Sequence, residues 1–255
     1  MDYKKLFHKE EAFQRETFQK RMEEFGFKNM ARMELFLWDL ELFLHIQKIL
    51  GDKIILKGGA ATQFYLPRDA QRTSVDIDML FFGTEEEIKK TLRKIEEYLG
   101  TEDELFYFHK HSPKNPKTNL PLHTYYTKVP SVLSNAERNM ERESIPYQEL
   151  KIEFILQPEK WEYERRTGEN IFAVNSSWNY QILPLNYLFA DKLTTLGCNT
   201  IGVQNERLDE QVKQFSDLMM LCRHCISEIH WSVVKEKYLP RAEQDRHNRQ
   251  LTLGS

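Results

Sequence analysis

The chain has 255 residues, enough for one large domain or two small ones with a sizeable hydrophobic core. Hydrophobic residues make up 40% of the sequence and charged residues 29%, and the formal net charge of -3 gives no overall attraction for nucleic acid. No apolar stretch approaches the roughly 20 residues of a membrane span, and three cysteines are too few for a disulfide framework, so we expect a cytoplasmic protein with no membrane partner.

Two helical segments are predicted before the first strand. Residues 3–24 are charged, with apolar residues at helical spacing, and Gly26 breaks the pattern. Residues 33–50 are so rich in Leu, Phe and Trp that we expect a helix buried on much of its surface and ended by Gly51. His45 lies within this apolar segment, where a histidine is more often a hydrogen-bonded core residue than a ligand.

Residues 54–82, IILKGGAATQFYLPRDAQRTSVDIDMLFF, are the most informative stretch. The apolar start predicts a short buried strand that ends at the diglycine of residues 58–59. A helix is predicted over residues 60–66 and a second strand over residues 75–82. The simpler alternative for the diglycine is a tight turn without a function.

Asp76 and Asp78 alternate with apolar residues in the second of these strands. Because side chains alternate along a strand, both carboxylates face one way, and their repulsion calls for a cation or a proton. Paired carboxylates suit Mg²⁺ when phosphate oxygens and water complete its coordination shell. In a loop, however, an Asp-x-Asp is more often a solvated turn.

An amphipathic helix with Thr84 as its N-cap is predicted over residues 85–99, and strands rich in aromatic and β-branched residues over 104–110 and 122–128. A further strand is predicted over residues 148–156. Its Lys151 and Glu153 share one face, which makes Glu153 a candidate third carboxylate beside the two aspartates. An edge strand with a solvated Lys-x-Glu face is the alternative.

The sequence is predicted to be helical from about Trp178 onward. A helix starting at Pro184 carries an apolar stripe of Leu and Phe with Asp191 and Lys192 inside it, and such acid–lysine pairs are mostly exposed to solvent. Helical geometry nevertheless places Lys192 at the border of the stripe, where it can reach toward a cleft.

Residues 208–225 predict another helix, with Val212, Phe215, Leu218, Met219 and Cys222 expected on one side. Asp217 lies in an apolar run, so it must face a partner or solvent, and Lys192 is the expected partner. The Cys-x-x-Cys motif at the end of this helix has no second pair to complete a zinc site, which favours core cysteines.

The order of these segments resembles the polymerase-β-type nucleotidyltransferases and, more narrowly, the AbiEii/AbiGii toxin family of type IV toxin–antitoxin systems. Four segments carry the resemblance: LKGG with VDID, KIEF, LFADKL and VKQFSDLMML. It implies an α/β (α+β) nucleotidyltransferase core with a short mixed sheet and N-terminal helices in residues 1–180, followed by a helical C-terminal region in residues 181–255.

The resemblance also implies roles for individual residues. Two Mg²⁺ ions would be held by Asp76, Asp78 and Glu153. Catalysis would further involve Lys192 and Asp217. The nucleotide would be bound by Lys57, Gly58, Gly59 and Lys151. Glu153 stands where the family usually has aspartate, and Gln214 stands where the family's fourth motif commonly has an acid.

The implied activity is Mg²⁺-dependent transfer of a nucleotide from a nucleoside triphosphate to an acceptor such as the 3′ end of tRNA. The protein would be the toxin of a system whose cognate antitoxin acts without stable binding. Clustered carboxylates fit this chemistry, because two metal ions stabilise the attacking and leaving oxygens of an in-line displacement. Two alternatives stay open: a small-molecule nucleotidyltransferase of the antibiotic-modifying kind, and a non-catalytic binding protein with the same fold.

Overall fold

The structure, a computed structural model, describes residues 2–112, 121–134, 136–138, 146–196 and 208–253. The helices in these ranges are α1 (Arg15–Phe25), α2 (Met30–Leu50), α3 (Gly58–Gln63), α4 (Glu85–Leu99), α5 (Leu185–Leu196), α6 (Leu208–Cys225) and α7 (Trp231–Leu253). The strands are β1 (Ile54–Leu56), β2 (Asp76–Phe81), β3 (His109–Lys110), β4 (Leu122–Pro130), β5 (Tyr147–Leu156), β6 (Glu164–Gly168) and β7 (Ser176–Ile182).

The described strands form one mixed sheet in the order β3-β4-β5-β2-β1-β7-β6. At its centre, β2 runs parallel to β5 and antiparallel to β1. The predicted α/β fold with a mixed sheet is therefore confirmed, although the sheet is wider than the short one expected. Because β5 lies between β4 and β2, the alternative of an edge strand with a solvated face is excluded.

The helix α2 supplies much of the hydrophobic core, as its composition predicts. It begins at Met30, three residues earlier than predicted, because the Asn29 side chain accepts a hydrogen bond from the Arg32 N–H and caps the helix. His45 is buried and its Nε2 lies 3.0 Å from Oε1 of Glu41, so the prediction of a satisfied core histidine is confirmed. Burial opposes ionisation of Glu41, but hydrogen bonds from His45 and His8 outweigh it and lower its pKa to about 2.

The prediction of helix from Trp178 onward is wrong for its first residues. Residues Ser176–Ile182 form β7, which pairs with β1 in parallel through Leu56 and Ile182 and with β6 in antiparallel. Neither β6 nor β7 alternates cleanly between apolar and polar residues, so sheet pairing rather than local pattern determines them. The boundary expected between residues 180 and 181 lies inside β7.

Two other segments differ from their predictions. Within the strand predicted over residues 104–110, only His109–Lys110 form a strand, and Leu105 makes an isolated bridge to Lys128. Glu104 and Phe106 have φ values of 61° and 55°, which a strand does not accommodate. The segment predicted as helix over residues 3–24 begins with the 3-10 turns Tyr3–Lys5 and Glu10–Phe13 and becomes α-helical only in α1.

The C-terminal helices pack with different faces from those predicted. In α5, Leu196 is exposed, whereas Lys192 and Thr194 are buried. In α6 the buried apolar residues are Leu218, Leu221 and Cys225, while most of the predicted apolar side faces outward. The Cys225 thiol lies 3.3 Å from the Tyr65 carbonyl oxygen, which confirms a core role for this cysteine.

Among the described helices, none combines the length and apolarity that a membrane crossing requires.

Candidate active site

Four charged side chains lie on one face of the central parallel pair of strands. Asp76 pairs in register with Lys151, and Asp78 pairs with Glu153. The intervening Ile77 is fully buried on the opposite face, as strand alternation predicts. Adjacent strands lie about 5 Å apart, so the three carboxylates form one cluster, and the alternative of a solvated turn for Asp76 and Asp78 is excluded.

The diglycine turn holds the start of α3 against β2. The backbone N–H of Lys57 donates to the carbonyl oxygen of Asp78 at 2.8 Å. Gly58 has a φ of +67°, and a Cβ built on it would stand 2.2 Å from Oδ2 of Asp78. Only glycine therefore allows the backbone to approach the carboxylate this closely. The helix α3 itself begins at Gly58, two residues before the predicted start.

Burial and mutual repulsion change the ionisation of this cluster. Burial, followed by the charge of Glu153, raises the pKa of Asp78 to about 7. Burial also raises the pKa of Asp76, with Lys151 opposing the shift. The Nζ atom of Lys151 lies 2.8 Å from Oε1 of Glu153, and the Thr124 hydroxyl donates to the same oxygen at 3.2 Å. The charges of Lys57 on Asp78 and of Lys213 on Asp76 also oppose these shifts, but both pKa values remain raised, which leaves the cluster short of positive charge.

This shortage, together with an oxygen-only set of donors, fits a hard divalent cation bound by Asp76, Asp78 and Glu153. In the described part of the chain, however, no three Asp, Glu, His or Cys side chains already converge as a metal site. Glu153 instead bonds Lys151, so its carboxylate would have to exchange the lysine for a metal ion.

A second cluster connects α5, α6 and the segment between α3 and β2. The ammonium of Lys192 donates to Oδ2 of Asp217 at 2.5 Å and to Oε1 of Gln214 at 2.8 Å. The Lys192 side chain is only 1% exposed, whereas acid–lysine pairs on helices are mostly exposed to solvent. The predicted pairing with Asp217 is confirmed, and Gln214, where an acid is common in the family's motif, satisfies the lysine.

Arg72 completes this second cluster and was not predicted. Its Nε and Nη2 atoms donate to the two carboxylate oxygens of Asp217 at 2.7 and 2.6 Å. A Cβ on Gly59 would stand 2.9 Å from Nη2 of Arg72, so the guanidinium lies directly against the diglycine. The sequence shows only that a buried Asp217 needs a cation. It does not show that this cation is Arg72, which is far away in the chain.

The two cations and their shared carboxylate shift each other's ionisation. Burial opposes the charge on Asp217, but hydrogen bonds from Arg72 and the charge of Lys192 outweigh it, so the pKa of Asp217 is lowered. Burial lowers the pKa of Lys192, and the attraction of Asp217 counters only part of that shift. Two cations on one carboxylate leave a net positive charge beside the diglycine.

Lys57 and Asp39 complete the surroundings of the site. The Lys57 ammonium lies 2.7 Å from Oδ1 of Asp191. The sequence pattern favoured an aspartate exposed to solvent, but Asp191 is paired with this lysine. Asp39, on α2, is buried, and neither of its carboxylate oxygens has a hydrogen-bond partner among the described residues. Burial and the charges of Asp76 and Asp78 raise the pKa of Asp39, an unpredicted fourth carboxyl group, well above its usual range.

The arrangement of acids, diglycine and paired cations agrees with a comparison of the whole sequence. A family model for the nucleotidyl transferase AbiEii toxin of type IV toxin–antitoxin systems matches residues 42–253. The chain belongs to the AbiEii family. It is therefore a nucleotidyltransferase toxin, and the resemblance predicted from its motifs is confirmed.

The fold of this AbiEii-family chain is shared with a solved nucleotidyltransferase toxin. MenT4, a nucleotidyltransferase toxin from Mycobacterium tuberculosis H37Rv, superposes with a TM-score of 0.54 at 12% identity, covering 89% of this chain and 70% of that chain. JHP933 from Helicobacter pylori gives 0.47 at 13% identity, covering 93% and 81% respectively. A putative nucleotidyltransferase from H. pylori gives 0.47 at 16%, covering 86% and 95%. No curated protein matches the sequence.

The structure brings the predicted residues of this AbiEii-family site together in two groups. The first group, on β2 and β5, contains Asp76, Asp78, Lys151 and Glu153. The second surrounds the start of α3 and contains Lys57, Gly58, Gly59, Lys192 and Asp217. Because Gly58 contacts Asp78 and Gly59 contacts Arg72, the diglycine joins the two groups.

Proposed function

We propose that this chain transfers a nucleotide from a nucleoside triphosphate to RNA, such as the 3′ end of tRNA, in a Mg²⁺-dependent reaction. The observation that carries the proposal is the cluster of Asp76, Asp78 and Glu153 beside the Gly58 turn. When bound by these three carboxylates, two Mg²⁺ ions supply the positive charge that stabilises the attacking and leaving oxygens.

The triphosphate would bind on the positive side of the diglycine. Backbone N–H groups at such a turn suit phosphate oxygens, and the Arg72 guanidinium beside Gly59 offers planar donors of the kind that phosphates accept. The Arg72 side chain is 27% exposed, whereas Lys192 behind it is 1% exposed. Arg72 is thus the group able to contact the phosphates. Lys192 is buried, so it contributes its positive charge without touching the phosphates, and it positions Asp217.

Lys151 compensates part of the negative charge of the carboxylate cluster. Lys151 neutralises part of the carboxylate charge before substrate binds, since its ammonium bonds Glu153. Burial opposes the charge on Lys151, but Glu153 and the two aspartates outweigh it and raise its pKa, so the lysine stays cationic. With a metal ion held by Glu153, the Lys151 ammonium would be available to bond a phosphate oxygen of the substrate.

The direct test is incubation of the protein with each α-labelled nucleoside triphosphate, Mg²⁺ and total RNA. We expect label in RNA with the native protein and none with Asp76→Ala. Label on an amino sugar with RNA untouched would instead identify a small-molecule nucleotidyltransferase. No transfer to RNA, protein or small acceptors with any triphosphate would overturn the proposed activity.

Glu153 bonds Lys151, so this ion pair must open before the carboxylate can bind a metal ion. Calorimetry with a triphosphate, with and without Mg²⁺, tests whether the cluster binds the metal ion. We expect Mg²⁺ to strengthen binding strongly in the native protein and only weakly in Glu153→Gln. Family membership implies an antitoxin partner, and we propose that it acts without stable binding, so that co-purification of the two chains would contradict this part.

A further inference from the structure

A row of large apolar side chains on α6 faces away from the protein. Leu208 and Val212 are each 66% exposed, Phe215 is 63% exposed and Met219 is 50% exposed. Single exposed apolar residues are common on protein surfaces, but a contiguous row along one helix marks a contact surface. We call these residues, with the partly buried Cys222 that continues the row, the α6 stripe.

The spacing of the α6 stripe indicates what covers it. Its members are separated by four, three, four and three residues, which is the heptad spacing of helices that pack lengthwise against one another. A groove-filling loop or a sheet edge does not require this period. The complementary surface is therefore another helix with its own apolar row.

We propose that a second copy of this chain covers the α6 stripe, with the two α6 helices antiparallel about a two-fold axis. One register pairs four of the five stripe residues with one another and leaves Leu208 opposite the partner's Ile226, which is 51% exposed. When Phe215 packs against the partner's Met219, Val212 packs against the partner's Cys222, and symmetry repeats both contacts. Each half of the interface then contains the same apolar layers, as an isologous interface requires.

The charges beside the stripe agree with this register. Asp209 and Arg223 are both exposed and lie seven residues before and after Ser216, along the same edge of the stripe. In the antiparallel register Asp209 lies opposite the partner's Arg223, so the two-fold axis generates two such pairs. A parallel pair would instead place Arg223 beside the partner's Leu218, without an opposite charge.

The proposed pairing is compatible with the active site. Asp217 is two residues from Phe215 and therefore about 200° away around α6, on the face that packs toward Lys192 and Arg72. The second copy would thus lie on the opposite side of α6 from Asp217, and the proposal does not depend on which acceptor the enzyme uses. A single pair of helices is a small interface, so we expect a reversible dimer.

Sedimentation equilibrium of the full chain over a wide range of concentrations tests the proposal. The weight-average mass should rise from 30.5 kDa toward twice that value. Phe215→Glu should remain a monomer at every concentration. Tyr107→Glu, which changes an apolar residue of 45% exposure outside α6, should dimerise as the native chain does. A native chain that stays monomeric at every concentration would overturn the proposal.

A charge exchange tests the antiparallel register itself. Asp209→Arg and Arg223→Asp should each weaken dimerisation roughly tenfold, because the two-fold axis replaces two attractive pairs with two repulsive ones. The double variant should regain native affinity, since it restores both pairs in reverse. Because both residues are exposed, neither change is expected to affect folding. Additive weakening in the double variant would show that Asp209 and Arg223 do not meet, and would overturn this register.

Discussion

Gly58 and Asp78 approach each other so closely that no side chain fits between them. A Cβ on Gly58 would lie 2.2 Å from Oδ2 of Asp78, and the residue has a φ of +67°. Two consequences of an added methyl group can therefore be separated: the strain of a left-handed conformation, and the displacement of a carboxylate. Gly26 offers the comparison, because its φ is +71° and a Cβ there would contact nothing within 4 Å.

We expect Gly58→Ala to lower nucleotidyl transfer by roughly a hundredfold or more, because the methyl group displaces Asp78 from its place in the carboxylate cluster. Gly26→Ala should lose only about 1 kcal/mol of unfolding free energy from backbone strain and keep its activity. Initial rates and urea denaturation of both variants provide the measurement. Full activity in Gly58→Ala would contradict the placement of Asp78 in the site.

The buried carboxylate of Asp217 is expected to contribute to stability. Asp217→Asn would remove the carboxylate that bonds both Lys192 and Arg72, and the Lys192 side chain is only 1% exposed, so we expect the free energy of unfolding to fall by about 3 kcal/mol. The exposed pair of Lys53 and Glu87 is the comparison, because its side chains are 44% and 38% exposed. Glu87→Gln should cost about 1 kcal/mol or less. Equal losses in the two variants would contradict a structural role for the buried pair.

The local pattern of the sequence predicts the carboxylate cluster but not its surroundings. Strand alternation is a property of neighbouring residues, so it places Asp76 and Asp78 on one face without knowledge of the fold. Arg72 was missed because its partner Asp217 is 145 residues away, and an arginine in a polar crossing has no local signature. The strand β7 was missed for a similar reason, since its hydrogen bonds to β1 and β6 come from distant segments.

Arg72 is expected to bind the nucleotide directly, whereas the buried Lys192 and Asp217 are not expected to touch it. Arg72→Lys keeps the positive charge but loses the planar fork that bonds both oxygens of Asp217 and faces Gly59. We expect kcat/KM to fall by roughly tenfold to a hundredfold, with a smaller effect on stability because the side chain is 27% exposed. Lys192→Ala should lower both stability and activity, since it removes a buried charge. If Arg72→Lys lost stability as severely as Lys192→Ala, Arg72 would be a structural residue rather than a binding one.

The raised pKa of Asp78, about 7, predicts how pH changes the stability of the metal-free protein. Between about pH 4 and pH 7 the folded protein retains a proton that the unfolded chain has released, so the free energy of unfolding falls as pH rises through this window. Asp78→Asn has no such proton to lose. Its stability relative to the native chain should therefore increase by about 2–4 kcal/mol from pH 4 to pH 8, measured by urea denaturation in the presence of a chelator.

Addition of Mg²⁺ extends this comparison to metal binding. At pH 8 the Asp78 carboxylate is ionised and crowded by Glu153, so a bound cation should stabilise the native chain more there than at pH 5, where the proton already relieves the repulsion. Asp78→Asn should gain little from Mg²⁺ at either pH. A stabilisation by Mg²⁺ that is the same in both proteins, or that decreases as pH rises, would place the metal ion away from Asp78.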